Sequence, residues 1–395
     1  MNLTINQQAL ITLVRSGLWN QTVELKQFGS LDYDSILQLA EEQAVVGLVT
    51  AGLEVVQGEW LKVHGVPIVP QEVLLQFIGS TLQVEQRNKE MNEFVPKLFK
   101  KLQSGGVDAV LVKGQGVAQC YEKPLWRASG DVDLLMDEEN YEKAKKVLFP
   151  LSYDIEQEDV YKKHQALKIM GVEVELHGRM PFGLSEKADK VIDVVIAKAL
   201  SEHESSELNE SVRIPKAEEH VFLVFTHFLR HFFIEGVGLR QICDWCRMLW
   251  TYKDSLNYGF LESRLQKAGL MTEWKVFFHL ATKYLGMPDI DSRLTNAESA
   301  TPRHSSSELG SARSSNADFM VQDSRLDAKA EKVLKRVLKS GNFGHNNDLS
   351  YRSRYSGITY KVVAMWRRFI DFASLVPVFP VDAPRFFIHY IFRKS

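Results

Sequence analysis

Hydrophobic residues recur at helical spacing over the first hundred residues of the chain. Leu10 and Leu13 lie on one face of a helix, and residues 71–102 contain few helix breakers. A repeat of about 3.6 residues is typical of an amphipathic α-helix. The same repeat returns after residue 215. The pattern predicts helical regions over residues 1–104 and 216–395, with one or two long helices at the end of the first region.

Between these regions the hydrophobic positions follow a different pattern. Residues 107–112 form a short β-branched run, residues 168–177 alternate between apolar and polar side chains, and residues 211–214 form another short run before a proline. Short runs with period-two alternation, separated by glycine or proline, are typical of β-strands. The segment 105–215 is therefore predicted to hold a small mixed sheet. The fold class expected for the chain is α+β, with large flanking helical regions.

One part of the C-terminal region lacks helical periodicity. Residues from about 291 to 323 are rich in Ser, Asn, Ala and Arg and contain almost no large apolar side chains. A segment of this composition cannot bury enough apolar surface to order itself. We expect a flexible insertion at this point.

The C-terminal tail combines basic and aromatic residues. Residues 351–395 contain eight Lys or Arg, two Asp and eleven aromatic side chains. Such a mixture occurs on surfaces that contact anionic membranes or RNA, and also in helices that pack their aromatic rings inward. Three prolines prevent one continuous amphipathic helix. We therefore favour inward packing of Trp366, Phe369 and Phe372, with surface or RNA contact as the alternative.

The composition is that of an ordinary globular protein. Over 395 residues, hydrophobic residues make up 45% and charged residues 25%, and the formal net charge is −2. Strong non-specific binding to nucleic acid is not expected of a chain with this charge balance. The chain has only three cysteines, and its N-terminus lacks the features of a secretion signal, so we expect a cytoplasmic protein. It has no apolar run of about 20 residues, so we expect no transmembrane segment.

Two carboxylates lie two residues apart in an apolar run. If residues 127–136 include a strand, Asp131 and Asp133 share one face, while Val132, Leu134 and Met136 face a core. Two like charges held side by side repel each other unless a cation lies between them. Mg²⁺ takes oxygen ligands and usually binds one or two protein carboxylates together with substrate phosphates. The pair therefore indicates metal-dependent phosphoryl or nucleotidyl chemistry.

A later alternating run carries a third candidate carboxylate. Glu173, Glu175 and His177 share one face of the predicted strand. If this strand neighbours that of Asp131 and Asp133, one of the glutamates approaches the pair. Three carboxylates can hold two divalent ions, one at an attacking hydroxyl and one at a leaving pyrophosphate. The alternative is a strand with one solvated face.

A lysine and a glycine-containing turn precede the aspartates. In residues 111–116 a strand-like run ends at Lys113 and Gly114, just before a predicted short helix. Backbone N–H groups at such a turn suit a phosphate, and the lysine adds a positive charge. Arg127 and Ser129 lie just before the aspartates and are further candidates for phosphate contact, although a structural role for Arg127 is an equal alternative.

Together these motifs resemble the nucleotidyltransferase superfamily with the polymerase-β-like fold, and more closely its bacterial branch of uncharacterised nucleotidyltransferases. The resemblance is firm over about 106–180 and loose over 216–250. The matching segments are LVKG at 111–114, RASGDVDLL at 127–135, ELH at 175–177, and GVGLR at 236–240 followed by Asp244.

The resemblance implies a role for each matched residue. Asp131 and Asp133 would be metal ligands for two Mg²⁺ ions, and Glu175 would be the third carboxylate, aligning or deprotonating the acceptor hydroxyl. Gly114 and Gln115 fall where the superfamily has Gly-Ser on the triphosphate. The chain departs from that pattern in having Gln115 for Ser, and Glu175 where Asp is commoner.

Two other groups of residues have predominantly structural interpretations. His227 and His231, with Cys243 and Cys246, could form a zinc site, but both pairs lie in strongly apolar helical patterns where such residues commonly pack in a core. Arg240 and Asp244 are four residues apart on a predicted helix, and the expected interaction is a salt bridge between them.

The function that these features predict is transfer of a nucleoside monophosphate from an NTP to a hydroxyl acceptor, with Mg²⁺ as cofactor and pyrophosphate as product. One alternative is a toxin-like nucleotidyltransferase that modifies tRNA or protein. Another is a non-catalytic nucleotide-binding or scaffold protein that retains the fold. Gln115, in place of the superfamily's Ser, keeps this last alternative open. The sequence identifies neither the nucleotide nor the acceptor.

Overall fold

The computed structural model describes residues 3–64, 68–160, 163–180, 183–288, 290, 314–347 and 350–393. Of the insertion expected at about 291–323, residues 291–313 lie outside the described residues. A helix begins at Ser314.

Four helices form the N-terminal region: α1 (Ile5–Trp19), α2 (Tyr33–Glu42), α3 (Val46–His64) and α4 (Gln71–Ser104). The hydroxyl of Thr4 caps α1 in a capping box with Gln7. Helices α1 and α3 approach each other closely through glycines, since a Cβ added at Gly17 would lie 2.0 Å from the carbonyl oxygen of Leu48. These helices agree with the helical periodicity of the sequence over this part of the chain.

The central sheet has five strands: β1 (Val110–Leu111), β2 (Val132–Leu135), β3 (Asp154–Ile155), β4 (His164–Ile169) and β5 (Val172–His177). Their spatial order is β1-β2-β5-β4-β3. The pair β2–β5 is parallel, and the other pairs are antiparallel. A separate hairpin follows, made of β6 (His203–Ser206) and β7 (Asn209–Pro215). The small mixed sheet expected from the sequence is confirmed.

Three helices accompany the strands: α5 (Gln115–Ala118), α6 (Glu138–Leu148) and α7 (Glu186–Ser201). One face of the sheet is covered by α4 and α6, where Phe99 and Tyr141 pack with Leu134 and Leu176 of β2 and β5. Because side chains alternate along a strand, the other face of β2 and β5 carries the polar residues. The alternation predicted around Asp131 and Glu175 is therefore present.

The C-terminal region is helical: α8 (Ala217–Ile234), α9 (Leu239–Thr251), α10 (Tyr258–Ala268), α11 (Met271–Lys283), α12 (Ser314–Ser340), α13 (Tyr351–Arg354), α14 (Gly357–Leu375) and α15 (Asp382–Arg393). Short 3₁₀ turns lie at Lys26–Phe28, Pro124–Trp126, Phe149–Leu151 and Asn342–Gly344. Within the ranges given above, no helix combines the length and the apolar character needed to cross a bilayer.

An aromatic core holds the C-terminal helices together. Trp245 of α9 and Trp274 of α11 meet edge to face with ring centroids 4.7 Å apart, and Phe225 of α8 contacts both. Buried residues of α1 to α3 belong to the same hydrophobic core. The two flanking helical regions therefore share one hydrophobic core, and the sheet has a separate core beneath it. The proposed division at residues 104 and 215 stays a prediction.

The tail only partly packs inward. Phe372 is buried as expected, but Trp366 is 61% and Phe369 is 45% exposed. The expectation of inward packing is therefore wrong for these two side chains. Phe369 contacts Phe387 of α15, with ring centroids 5.6 Å apart, but much of its side chain and most of Trp366 remain exposed.

Candidate active site

The parallel pairing of β2 and β5 brings three carboxylates together. Asp133 lies directly opposite Glu175 in the register of the two strands, and Asp131 comes immediately before β2. One carboxylate oxygen from each residue lies within 4.8 Å of the corresponding oxygens of the other two. The structure therefore places Asp131, Asp133 and Glu175 in one cluster on the polar face of the sheet.

Lys113 supplies a positive charge to this cluster. Its Nζ lies 2.7 Å from Oδ1 of Asp133, a side chain with no exposed surface. Lys113 follows β1, where the backbone N–H of Val112 donates to the carbonyl of Asp133. Gly114 then takes a φ of +63°, which favours glycine, and a Cβ there would lie 3.3 Å from the carbonyl oxygen of Asp131. This turn fixes the lysine against the aspartates.

Two histidines also contact the carboxylates of the cluster. Nε2 of His177 lies 3.1 Å from Oδ1 of Asp133 and 3.3 Å from Oε2 of Glu175. Nε2 of His164 on β4 lies 3.3 Å from the same Glu175 oxygen. The alternation of residues 172–177 identified His177, but His164 was missed because it belongs to no recognised motif.

The three carboxylates differ in their pKa values. The charge of Asp133, followed by burial, raises the pKa of Asp131. Burial also acts to raise the pKa of Asp133, but Lys113 and His177 outweigh it and lower that pKa. For Glu175 burial is again outweighed, here by hydrogen bonds from His164 and His177, and the pKa is lowered. Asp133 and Glu175 are therefore ionised at neutral pH.

The pKa values of the two basic residues that contact the cluster, Lys113 and His177, are both raised. Burial acts to lower the pKa of Lys113, but the charges of Asp133, Asp131 and Glu175 outweigh it and raise the pKa. The pKa of His177 is also raised against burial, by its contacts with Asp133 and Glu175. The site therefore favours positive charge next to the carboxylates.

The donor set fits a hard divalent cation. Oδ2 of Asp133 is buried and accepts no hydrogen bond from the described residues. A buried carboxylate oxygen without a donor is unfavourable unless a cation or another ligand contacts it. With the oxygens of Asp131 and Glu175 nearby, the oxygen-rich site matches the ligand preference of Mg²⁺.

Asn88 of α4 holds the loop that leads to the aspartates. Its Nδ2 donates to the carbonyls of Leu125 and Arg127, both at 2.8 Å. Its Oδ1 accepts a hydrogen bond from the hydroxyl of Ser129 at 2.6 Å. The side chain of Gln115 donates to Oδ1 of Asn92 at 2.6 Å. The contacts of Ser129 and Gln115 are therefore internal to the protein: Ser129 joins the loop to α4, and Gln115 joins α5 to α4.

Arg127 makes a buried ion pair with Asp244 on α9. Its Nε lies 3.0 Å from Oδ1, its Nη2 lies 2.6 Å from Oδ2, and the hydroxyl of Tyr121 also donates to Oδ1. Arg240 instead donates from Nη1 to the carbonyl of Ala128 at 2.9 Å. The expected Arg240–Asp244 salt bridge is therefore wrong, because Asp244 faces the loop of Arg127. Both arginines tie α9 to the segment before Asp131.

A chain of polar side chains runs from Lys113 to the surface. Nε2 of His227 lies 3.1 Å from Nζ of Lys113 and 3.2 Å from Nε2 of His231. Nδ1 of His231 contacts Glu235 at 2.7 Å. Burial, followed by the charge of Lys113, holds the pKa of His227 well below its usual value. These histidines therefore support the lysine as neutral partners.

The zinc hypothesis receives no support from this arrangement. Cys243 and Cys246 are fully buried in the aromatic core of α9. Among the described residues, the groups able to hold a metal ion are Asp131, Asp133 and Glu175, and His164, Glu175 and His177. The structural interpretation of the cysteines agrees with their positions.

Comparison with known proteins assigns the chain to a family. Residues 29–286 match the family described as uncharacterised nucleotidyltransferase. The match covers more than half of the chain, and the protein belongs to this family. The matched segment includes the sheet, the carboxylate cluster and helices α8 to α11. No curated protein and no solved structure matches the chain.

Proposed function

We propose that the protein is a Mg²⁺-dependent nucleotidyltransferase of the polymerase-β-like superfamily, which moves a nucleoside monophosphate from an NTP to a hydroxyl acceptor and releases pyrophosphate. The observation that carries the proposal is the convergence of Asp131, Asp133 and Glu175 across the parallel pair β2–β5. Membership of the nucleotidyltransferase family supports it.

Each carboxylate would have a role that follows from its surroundings. Asp131 and Asp133 would hold the metal together with Glu175. When bound, two Mg²⁺ ions activate the attacking hydroxyl and neutralise charge that develops on the phosphates. The lowered pKa of Glu175 makes its carboxylate a weak base. Its additional role in this proposal is therefore to align the acceptor hydroxyl rather than to remove its proton.

Lys113 is the basic residue that we assign to the phosphates. Its ammonium pairs with Asp133, and its side chain is 18% exposed. Once Asp133 has another counter-charge, the lysine can turn to a triphosphate while His227 continues to support it. We assign the backbone at Gly114 and Gln115 to the same phosphates. Arg127 and Ser129 would act as positioning residues, because Asp244 and Asn88 already engage their side chains.

The test is transfer of label from α-labelled NTPs in the presence of Mg²⁺. Acceptors offered in parallel are cell extract, tRNA and small alcohols, so that the acceptor class is read from the labelled product. Asp131→Asn and Asp133→Asn should each reduce transfer by about a hundredfold to a thousandfold, the scale of losing one group that stabilises transition-state charge. Asp154→Asn, which removes an exposed carboxylate from edge strand β3, is the matched control.

The outcomes separate the proposal from its alternatives. Transfer that survives in both aspartate variants would refute the assigned site. Nucleotide binding in calorimetry without transfer to any acceptor would favour the non-catalytic nucleotide-binding protein. Label found in tRNA or protein, together with growth arrest that Asp133→Asn relieves, would favour the toxin-like enzyme.

A further inference from the structure

Two imidazole rings and a carboxylate lie together on the polar face of the sheet. His164 on β4 is directly opposite His177 on β5, and the ring centroids are 4.9 Å apart. Nε2 of each ring lies 3.3 Å from Oε2 of Glu175. Candidate ligand atoms of the three residues all lie within 4.8 Å of one another. This donor set differs from the oxygen-only set that Asp131, Asp133 and Glu175 form.

Mixed nitrogen and oxygen donors select a different kind of cation. Mg²⁺ prefers oxygen ligands, whereas imidazole nitrogen suits divalent transition metals such as Zn²⁺. We propose that His164, Glu175 and His177 form a second cation position that selects Zn²⁺ over Mg²⁺. Three protein ligands leave a coordination position open, which is typical of catalytic rather than structural zinc sites.

The proposed zinc position shares Glu175 with the candidate magnesium site. Its relation to a magnesium site rests on the proposed function, whereas the zinc ligands themselves do not. The side chain of His164 is 32% exposed, whereas that of His177 is 10% exposed, so the position opens toward solvent on the His164 side. A cation can therefore enter without disturbing the hydrophobic core beneath the sheet.

Metal binding to the full-length protein tests this inference without any measurement of turnover. After chelation, the protein is titrated with Co²⁺ as an optical probe, and Zn²⁺ affinity is measured by calorimetry with excess Mg²⁺ present. We expect His164→Ala and His164→Gln to weaken Zn²⁺ binding at least about tenfold. Asp131→Asn, which leaves all three ligands intact, should change the affinity less than about threefold.

The outcomes are distinguishable from those of the transfer assay. Zn²⁺ affinity that is unchanged in both His164 variants, or that Asp131→Asn abolishes, would overturn the histidine site. Displacement of Co²⁺ by equimolar Mg²⁺ would do the same. None of these three results measures nucleotidyl transfer, which is read separately from the labelled product. Circular dichroism of each variant confirms that it is folded.

A second inference rests on the exposed face of α14. Five large apolar side chains lie on this face: Ile358, Val362, Met365, Trp366 and Phe369. At about 100° per residue, they occupy an arc of about 100° on the helix. The exposed fractions of Ile358, Val362 and Trp366 are 82%, 62% and 61%. We call this set the apolar stripe.

Helix α15 extends the apolar stripe into a broader surface. Phe387 of α15 lines the same groove, and its ring centroid is 5.6 Å from that of Phe369. Contiguous exposed apolar surface of this kind marks an interaction site rather than an ordinary protein surface.

The charge of the segment identifies the occupant. Residues 351–395 carry eight Lys or Arg against two Asp, in a chain whose net charge is −2. Lys361 is exposed and lines the groove with the apolar stripe. An aromatic and aliphatic helix face with a basic side chain beside it, as Lys361 is here, is typical of helices that lie in the interface of an anionic bilayer. We propose that α14 and α15 dock on an anionic lipid surface.

Vesicle co-sedimentation of the full-length protein tests this docking. The protein should bind vesicles of phosphatidylglycerol and phosphatidylcholine, and bind pure phosphatidylcholine at least about fivefold more weakly. Trp366→Ser combined with Phe369→Ser should remove binding, and Lys361→Glu should weaken it. The control is Val194→Ser, which removes an exposed apolar side chain from α7.

Three results would overturn the lipid proposal. Equal binding to neutral and anionic vesicles would remove the charge argument. Unchanged binding of the Trp366→Ser/Phe369→Ser variant would show that the apolar stripe is not the contact. A dimer in light scattering that this variant dissociates, without vesicle binding, would assign the stripe to a second copy of the chain.

Discussion

Asp133 and Glu175 lie directly opposite each other across the parallel strands β2 and β5. About 40 residues of chain separate them, and they meet because the crossover through α6, β3 and β4 returns β5 to the edge of β2. Parallel neighbours in matched register direct the opposed side chains to the same face. This pairing makes one acidic cluster out of two sequence motifs, and it is the basis of the proposed catalysis.

Asn88 should contribute strongly to the stability of the fold, although it touches no carboxylate of the cluster. Asn88→Ala removes hydrogen bonds to the backbone of Leu125 and Arg127 and to Ser129. Because these groups are buried or half-buried, we expect a loss of about 3 kcal/mol in unfolding free energy. Urea unfolding measures it. Gln83→Ala, at an exposed position on the same helix, is the control, and equal stability of the two variants would contradict the role of Asn88.

The buried ion pair between Arg127 and Asp244 should show strong coupling. Asp244→Asn leaves the guanidinium buried without its counter-charge, and we expect a loss of about 3–5 kcal/mol. The combined replacement Arg127→Met and Asp244→Leu should be less destabilising than the sum of the single changes. Denaturant unfolding of Arg127→Met, Asp244→Leu and the combined variant gives the coupling energy. Asp254→Asn, at an exposed turn, should have little effect. Additive losses would contradict a direct pair.

Sequence patterns predicted the parts of the site that repeat along one strand. Asp131 with Asp133, and Glu175 with His177, were identified because alternation places them on one face. The β2–β5 register that joins them is a long-range property, and the sequence supported it only through the family resemblance. Asn88, His164 and His220 were missed, because a single polar residue within a helix or at the start of a strand has no local pattern that distinguishes a buried role from a solvated one.

The aromatic tail is a second place where local sequence patterns could not decide which residues are buried. Its composition was compatible with inward packing and with surface contact, and the two alternatives differ only in which helices lie next to α14. Phe372 packs against Phe233 of α8, whereas Trp366 faces away from it. Local periodicity gives the faces of a helix, but the tertiary fold decides which face is covered.

His220 should make stability depend on pH. Burial lowers the pKa of this histidine to about 4, and its Nε2 lies 2.7 Å from the carbonyl of Val112. The unfolded chain therefore binds a proton that the folded chain excludes between pH 6.5 and about 4. Unfolding free energy should be highest above that interval and fall by about 3 kcal/mol across it, at about 1.4 kcal/mol per pH unit.

Thermal and urea unfolding across this interval provide the measurement. His220→Gln keeps an N–H donor for Val112 and cannot titrate, so its unfolding free energy should fall less on acidification than that of the natural chain. Parallel pH profiles for the two proteins would show that other groups dominate. Because Val112 precedes Lys113, loss of this hydrogen bond would also disturb the lysine.

Replacement of Lys113 should change the response to Mg²⁺. In the metal-free protein its ammonium is the 2.7 Å partner of Asp133, so Lys113→Met leaves that carboxylate without its main counter-charge. We expect lower thermal stability without metal and a larger rise in Tm on adding Mg²⁺ than in the natural chain. Scanning calorimetry with and without Mg²⁺ measures both, and Lys123→Met is the exposed control. Identical Mg²⁺-dependent shifts in both lysine variants would contradict the competition between lysine and cation.

The most direct measurement is anomalous scattering from crystals soaked in Mn²⁺, used as a stand-in for Mg²⁺, with a non-hydrolysable NTP. The account predicts an anomalous peak bonded to oxygens of Asp131, Asp133 and Glu175, with Lys113 moved from Asp133 toward the phosphates. A nucleotide bound elsewhere, or Lys113 still paired with Asp133 and no peak between the three carboxylates, would contradict it.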